Sequence, residues 1–346
     1  MQRKSITIRG VTIGDGAPIA IQSMTNTRTE DVPATTAQIR RLVEAGCEIV
    51  RLAVPDMAAA RAFGEIREQV DIPLVADIHF DYRLALAAVE NGADKLRINP
   101  GNIGGESRVR EVAEAAKANG LPIRVGVNGG SLEKDILQKN NGVTASGLAE
   151  SALRNVAMLE RHGFENIVVS VKATNVPLML DAHKILAERL PYPIHIGLTE
   201  AGTPVNGAIR SAAGLGAILS LGIGDTLRVS LSGDPVAEIF AAREILSAMG
   251  LRRFGVTVIA CPTCGRTDID VAGIATRLEI RLASITTPIT VAVMGCAVNG
   301  PGEAREADIG VAGGRGSAVI FRKGEVIKHV PEDELEEAVF AEVMRL

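Results

Sequence analysis

The chain has 346 residues, 47% of them apolar, which is enough for one large domain and a smaller one. A net charge of -4 and an aromatic content of 3% argue against a nucleic-acid or anionic-membrane partner and leave no stacking platforms for bases, so a small-molecule partner is expected. No apolar stretch follows the basic residues of "MQRKSITIRG" and none has the length of a membrane span, so the expected location is the cytoplasm. Four cysteines, one of them far from the rest, do not look like a disulfide framework.

In chain order, "SITIRGVTI" (5–13) reads as a short hairpin. Short apolar runs then begin near Ala20, Ile49, Leu74, Lys95, Ile123, Ile167, Ile194 and Thr226. Between them lie segments such as "TTAQIRRLVEAG" and "DYRLALAAVENG", with apolar residues at helical spacing and glycine stops. Strand then helix, eight times over, predicts an α/β fold with an N-terminal TIM (β/α)8 barrel over 1–250; no Gly-x-Gly-x-x-Gly turn follows the first strand, which counts against a dinucleotide fold.

A barrel places its chemistry at strand C-termini. There the sequence has Arg51, then Asp77 and His79, Arg97 and Asn99, Arg124 and Asn128, Ser170 and Lys172, Thr199 and Glu200, and Arg228 and Ser230. Within most strands these polar residues share one parity and the aliphatic residues the other, so they converge on one mouth. Five cations there (Arg51, Arg97, Arg124, Lys172, Arg228) face the acids Asp77 and Glu200, a surplus that calls for a di-anionic phosphate compound. The loops "NPGNIGG" and "VNGGSL" offer backbone amides beside them.

From about residue 251 the pattern changes to strand "GVTVIA", helix "DVAGIATRLEIRLA", strands "ITVAVMG" and "ADIGVAG", hairpin "SAVIFRKGEVIKHV" and a terminal helix, a small α+β domain over 251–346. It carries Cys261, Cys264 and Cys296, followed by Glu303 in "GCAVNGPGEA". Cys47, before the second barrel strand, reads as a core cysteine. Structural zinc normally takes four Cys or His ligands, and no histidine lies near this set. Three thiolates with an oxygen or exchangeable fourth ligand suit a 4Fe-4S cluster; zinc and a redox dithiol remain open on spacing alone. His162, His183 and His329 read as surface residues, and the acidic run Glu332 to Glu337 as solvated first turns of a helix.

The segments "SMTNT", "VRLAVPD", "PLVADIHFDYRLAL", "KLRINPGNIG", "IRVGVNGGSL", "VVSVKA", "GLTEAG", "GIGDTLRVSLS", "ACPTCGRT" and "GCAVNGPGEA", in this order, resemble the bacterial 4-hydroxy-3-methylbut-2-en-1-yl diphosphate synthases of the non-mevalonate isoprenoid pathway, in their short two-domain form. The resemblance implies reductive ring opening of 2-C-methyl-D-erythritol 2,4-cyclodiphosphate, with flavodoxin or ferredoxin as electron donor. It implies cluster ligands Cys261, Cys264, Cys296 and Glu303, in a domain resembling the cluster domains of sulfite and nitrite reductases. Arg51, His79, Arg97, Arg124, Asn128, Lys172 and Ser230 would meet the substrate, with Asn99, Ser170 and Arg228 beside them. Glu200 would serve as the acid-base group and Asp77 would orient its neighbours.

The eighth barrel helix should return the chain to the face opposite the mouth, and spanning the barrel would take some ten extended residues at about 3.3 Å each. "LRRFGV" is short, so a head-to-tail homodimer is expected, each tail domain covering its partner's mouth. Two other classes fit the residues less fully: a zinc-stapled barrel enzyme acting on another phosphorylated small molecule, and a non-catalytic iron-sulfur metabolite sensor.

Overall fold

The computed structural model describes residues 3–296, 302, 304–314 and 316–346, and the chain divides into two compact units, Met1–Arg252 and Arg253–Leu346. The first opens with the antiparallel hairpin β1 (Ile6–Ile8) and β2 (Val11–Ile13). Strand–helix pairs follow: β3 (Ala20–Met24), α1 (Val32–Glu44), β4 (Ile49–Ala53), α2 (Met57–Arg67), β5 (Leu74–Asp77), α3 (Tyr82–Glu90), β6 (Lys95–Ile98) and α4 (Glu106–Ala118). The second half continues with β7 (Ile123–Asn128), α5 (Lys134–Lys139), α6 (Ala145–Glu160), β8 (Ile167–Lys172), α7 (Val176–Arg189), β9 (His195–Ile196), α8 (Pro204–Leu219), β10 (Thr226–Leu227) and α9 (Val236–Ala248). All pairings in the 8-stranded sheet are parallel, in the order β8-β7-β6-β5-β4-β3-β10-β9, and a parallel bridge between Val169 and Ile194 joins its two ends. This is a (β/α)8 barrel.

Local chemistry sets the helix boundaries. Asp56 and Asn175 accept the backbone N–H of Ala59 and Leu178 at 2.9 Å, capping α2 and α7, and Gly46 and Gly92 leave α1 and α3 with φ of +99° and +79°, where a side chain would be strained. The expected runs begin at strand residues, the seventh one residue later at His195. Ile6, Ile8 and Ile13 of the hairpin pack with Ala20, Ile49, Val75 and Val168, an apolar plug across the barrel's N-terminal end.

The second unit contains β11 (Val256–Ala260), α10 (Val271–Leu282), β12 (Ile289–Met294), β13 (Ile309–Gly314), β14 (Ser317–Arg322), β15 (Glu325–Pro331) and α11 (Leu335–Val343). They form a mixed sheet, β11 to β13 parallel and β13 to β15 antiparallel. Strand alternation splits its core: Val291, Val293, Val311 and Ile320 pack with α10 and α11, while Ala292, Met294, Ala312 and Phe321 pack with Ala304 and Ala307.

Two sequence expectations are corrected. His183 is not a surface residue: it is fully buried in α7, its Nδ1 2.7 Å from the Met179 carbonyl, and burial pushes its pKa down to about 4. The acidic run is not merely solvated. Glu332 accepts the Asp270 N–H at 3.0 Å, Glu336 accepts from Arg277 Nε at 2.5 Å and Glu337 pairs with Arg281, so these acids fasten the start of α11 to α10.

Candidate functional site

Alternation along the strands determines which side chains meet. Arg97 pairs across the sheet with Asp77 on one side and Arg124 on the other, Gly126 with Ser170, and Asn128 with Lys172, all on the inward face at the strands' C-terminal ends. They line a cavity of about 250 Å³ together with Met24, Arg51, His79, Leu198, Thr199, Arg228 and Ser230. A larger open groove of about 590 Å³ beside α6 and α7 is lined by solvated pairs, Glu150 bonding both Lys139 and Arg154, and offers no comparable set.

Asp77 is the hub of the cavity. Its Oδ1 accepts from Arg97 Nη1 at 3.0 Å, and its Oδ2 lies 3.6 Å from both Arg51 Nε and His79 Nε2. Burial opposes its charge, but Arg51, the His79 hydrogen bond and Arg97 outweigh that and hold the carboxyl well below the usual carboxylate range. Arg97 Nη1 also reaches His79 Nδ1 at 3.4 Å. A guanidinium can only donate, so Nδ1 is the acceptor and the His79 proton sits on Nε2, facing Asp77. Arg51 is 11% exposed and directs Nε and Nη2 at the Met24 sulfur, at 3.1 and 2.8 Å. Burial lowers its pKa to about 10, with Asp77 opposing, which leaves it cationic at neutral pH.

The other cations differ in their support. Arg228 forms a two-point pair with Glu238, Nε to Oε2 at 3.0 Å and Nη2 to Oε1 at 2.9 Å, and Ser23 Oγ and the Leu231 N–H complete the shell of that carboxylate. Arg124, 1% exposed, leaves Nε and Nη1 without a partner among the described residues. Burial pushes Lys172 well below its ordinary value, with Arg124, Arg51 and Arg228 adding to the effect. Two glycines make room for these long side chains. A Cβ on Gly126 would stand 2.5 Å from Arg97 Nε, and one on Gly197 would stand 2.6 Å from the Arg228 carbonyl oxygen and 2.7 Å from Lys172 Nζ.

Of the sequence-selected residues, Arg51, Asp77, His79, Arg97, Arg124, Asn128, Ser170, Lys172, Arg228 and Ser230 line one cavity. Asn99 does not: its Oδ1 accepts the Gly101 N–H at 3.2 Å, and Asn155 accepts the same N–H at 2.7 Å, so this amide of "NPGNIGG" is already engaged. Glu200 lies at the rim, exposed, with φ of +54° and its Oε2 3.4 Å from Thr174 Oγ1; β9 ends before it. Glu238 was missed. It is 2% exposed in the first turn of α9, where an acid reads as an ordinary helix-start residue, and only the fold sets it under Arg228.

In the second unit, Cys261 and Cys296 follow the adjacent parallel strands β11 and β12. The Gly295 N–H donates to Cys261 Sγ at 3.1 Å, and the Cys264 N–H donates to Thr267 Oγ1 at 3.1 Å, closing the turn that follows the Cys-x-x-Cys segment. Glu303 lies outside the described residues, among which no group of three His, Cys, Asp or Glu side chains is placed to hold a single metal ion. Cys47 is buried in the barrel with Sγ 3.2 Å from the Ile49 carbonyl, and burial raises its thiol to about 12.

Fold and cavity define a (β/α)8 barrel with a strongly cationic mouth, joined in sequence to a unit that carries three cysteines. Solved structures with similar barrels include a dihydropteroate synthase from Stenotrophomonas maltophilia, with a TM-score of 0.52, 16% identity, and coverage of 71% of this chain and 98% of that one. A type I 3-dehydroquinate dehydratase from Clostridium difficile also scores 0.52, at 15% identity over 72% of this chain and 98% of its own. Such identities speak to the fold alone.

The GcpE TIM-barrel domain matches residues 3–243 and the GcpE protein C-terminal domain matches residues 257–345; the chain belongs to the GcpE family. Among its relatives, a protein of Caldanaerobacter subterraneus is 56% identical over 99% of this chain and 97% of its own length, and one of Geobacter sulfurreducens is 54% identical over the same shares. Both are named 4-hydroxy-3-methylbut-2-en-1-yl diphosphate synthase (flavodoxin).

Proposed function

We propose that this chain is a flavodoxin-dependent 4-hydroxy-3-methylbut-2-en-1-yl diphosphate synthase, which opens 2-C-methyl-D-erythritol 2,4-cyclodiphosphate reductively. Two electrons and two protons enter, the product diphosphate leaves, and one water is released. The observation that carries the reading is the near full-length identity above 50% to relatives of that name. The cationic cavity supports it independently, since a cyclic diphosphate supplies the negative charge that the cavity's own acids do not.

In this reading Arg51, Arg97, Arg124, Lys172 and Arg228, with His79, Asn128, Ser170 and Ser230, hold and orient the diphosphate. Asp77 fixes Arg51, Arg97 and the His79 tautomer through the contacts described above. Glu200 is the proton-transfer group, and its left-handed backbone is the kind of local strain that functional sites retain. A 4Fe-4S cluster held by Cys261, Cys264, Cys296 and Glu303 would supply electrons singly. The donor set fits it: three cysteines, two of them following adjacent strands, and a backbone N–H on one sulfur of the kind that tunes a metal-bound thiolate. The reading includes a head-to-tail homodimer, supported by the short connector after α9.

The test is anaerobic turnover of the cyclodiphosphate by the iron-loaded protein with reduced flavodoxin, product being read by mass spectrometry. Absence of product from a protein that holds its iron and its reductant would refute the assignment.

A further inference from the structure

The inward face of β6 carries a cation that the cavity lining does not include. Lys95 precedes Arg97 by two residues, so it lies on the same face about 6.6 Å deeper in the barrel. It is 0% exposed, and its Nζ has no hydrogen-bond partner among the described residues. Its register partner is Val75, part of the apolar plug that the hairpin residues Ile6, Ile8 and Ile13 complete. Among the described residues no polar group bonds its Nζ, and the charged groups acting on it are Arg124 and Arg51 above.

The same layer holds His195, also 0% exposed, with Nδ1 2.7 Å from Thr226 Oγ1 and Nε2 unpartnered among the described residues. Gln22 leaves both its amide atoms unpartnered there as well. Barrel interiors are normally filled by branched aliphatic side chains, so buried polar groups at these positions are costly. Nearby acids do not compensate: Asp77 is engaged by Arg51 and Arg97, and Glu238 by Arg228, Ser23 and the Leu231 N–H. A basic group buried at such cost points to a role in a ligand-bound state.

We propose that Lys95 is a positioning residue that charges the floor of the cavity from one layer down, holding Arg124 toward the mouth and raising the cavity's affinity for a diphosphate anion without touching it. The proposal rests on the reading of the cavity as a diphosphate site and adds a residue that the lining does not contain. Burial and the two arginines push the Lys95 ammonium well below its ordinary value, and an anion arriving above Arg124 opposes that push. Apo stability is thereby exchanged for ligand affinity.

The test uses the anaerobic, iron-loaded full-length protein with inorganic pyrophosphate as probe, comparing wild type with Lys95→Met and Lys95→Gln. Both variants are expected to weaken pyrophosphate binding about tenfold by calorimetry, the size expected for one charge acting at a distance through partly buried protein. KM for the cyclodiphosphate should rise by a similar factor while kcat stays within about twofold, the signature of lost uniform binding. Ligand-free Lys95→Met should melt higher than wild type and gain less from pyrophosphate. Unchanged pyrophosphate affinity in either folded variant, an effect on kcat with KM constant, or failure of the wild type to bind pyrophosphate would each overturn the proposal. If pyrophosphate binds and responds to Lys95 while the cyclodiphosphate is not turned over, the proposed reaction fails and the role of Lys95 stands.

Discussion

Arg124 in the barrel is buried with two guanidinium nitrogens unpartnered among the described residues, whereas Cys264 in the second unit is exposed on a turn that one threonine closes. The barrel holds its reactive groups on strands and bears the cost of crowding like charges; the second unit sets its cysteines in loops beyond strand ends and packs its helices on an apolar core, with surface ion pairs added between them. A rigid, electrostatically stressed cavity is what selective binding of a polyanion requires. Thiolates in loops can settle around an inorganic cluster that brings its own geometry.

The largest expected break in that comparison is Cys264→Ser. It should abolish turnover and the visible absorption of the anaerobic, iron-loaded protein, while calorimetry finds pyrophosphate affinity unchanged because the barrel is untouched. Asp77→Asn should do the converse, sparing the iron content and costing the barrel unit about 3–5 kcal/mol in urea unfolding, since it leaves Arg51 and Arg97 without their counter-charge.

His183 gives the barrel a pH dependence that the second unit has no counterpart for among the groups described. Its folded pKa, about 4, lies below the ordinary 6.5, so the unfolded chain takes the proton first as pH falls. Its contribution is fully present above pH 6.5, declines by about 3 kcal/mol between pH 6.5 and 4, and is level below that. Urea unfolding across this range should slope less in His183→Gln, with the remaining slope including His195, which burial also holds well below its usual value. Gly197→Ala should raise KM about tenfold by displacing Lys172 and should also lower the thermal midpoint, because the new Cβ meets the Arg228 carbonyl oxygen, a backbone atom, at 2.6 Å. The smallest effect is expected for Arg277→Ala, which removes an exposed pair to Glu336 and should leave the urea unfolding of the second unit nearly unchanged.

Much of the cavity was legible because a barrel strand turns parity into position. Arg97 and Arg124, or Ser170 and Lys172, share a face whatever the helices do. Asn99 has the same parity yet turns to its own loop, because a short Asx side chain finds the Gly101 N–H before it can reach the cavity. Glu200 stands at the rim because β9 ends well before it, at Ile196, and its own backbone is left-handed. Glu238 and His183 had no readable signal: each lies in a helix, where burial depends on which face packs inward and on what the neighbouring strand presents.

Periodicity, glycine stops and capping residues by themselves determined the order of strands and helices, the change of pattern after the barrel and the cysteine set, since all of these are local in the chain. The family resemblance rested on short motifs and needed no coordinates. Only tertiary structure decided the charge balance of the cavity, because Glu238 enters it from a helix and Lys95 is isolated by a hairpin far from it in sequence. The cost of a buried charge depends on everything around it within the reach of Coulomb forces, and that neighbourhood exists only once the barrel has closed.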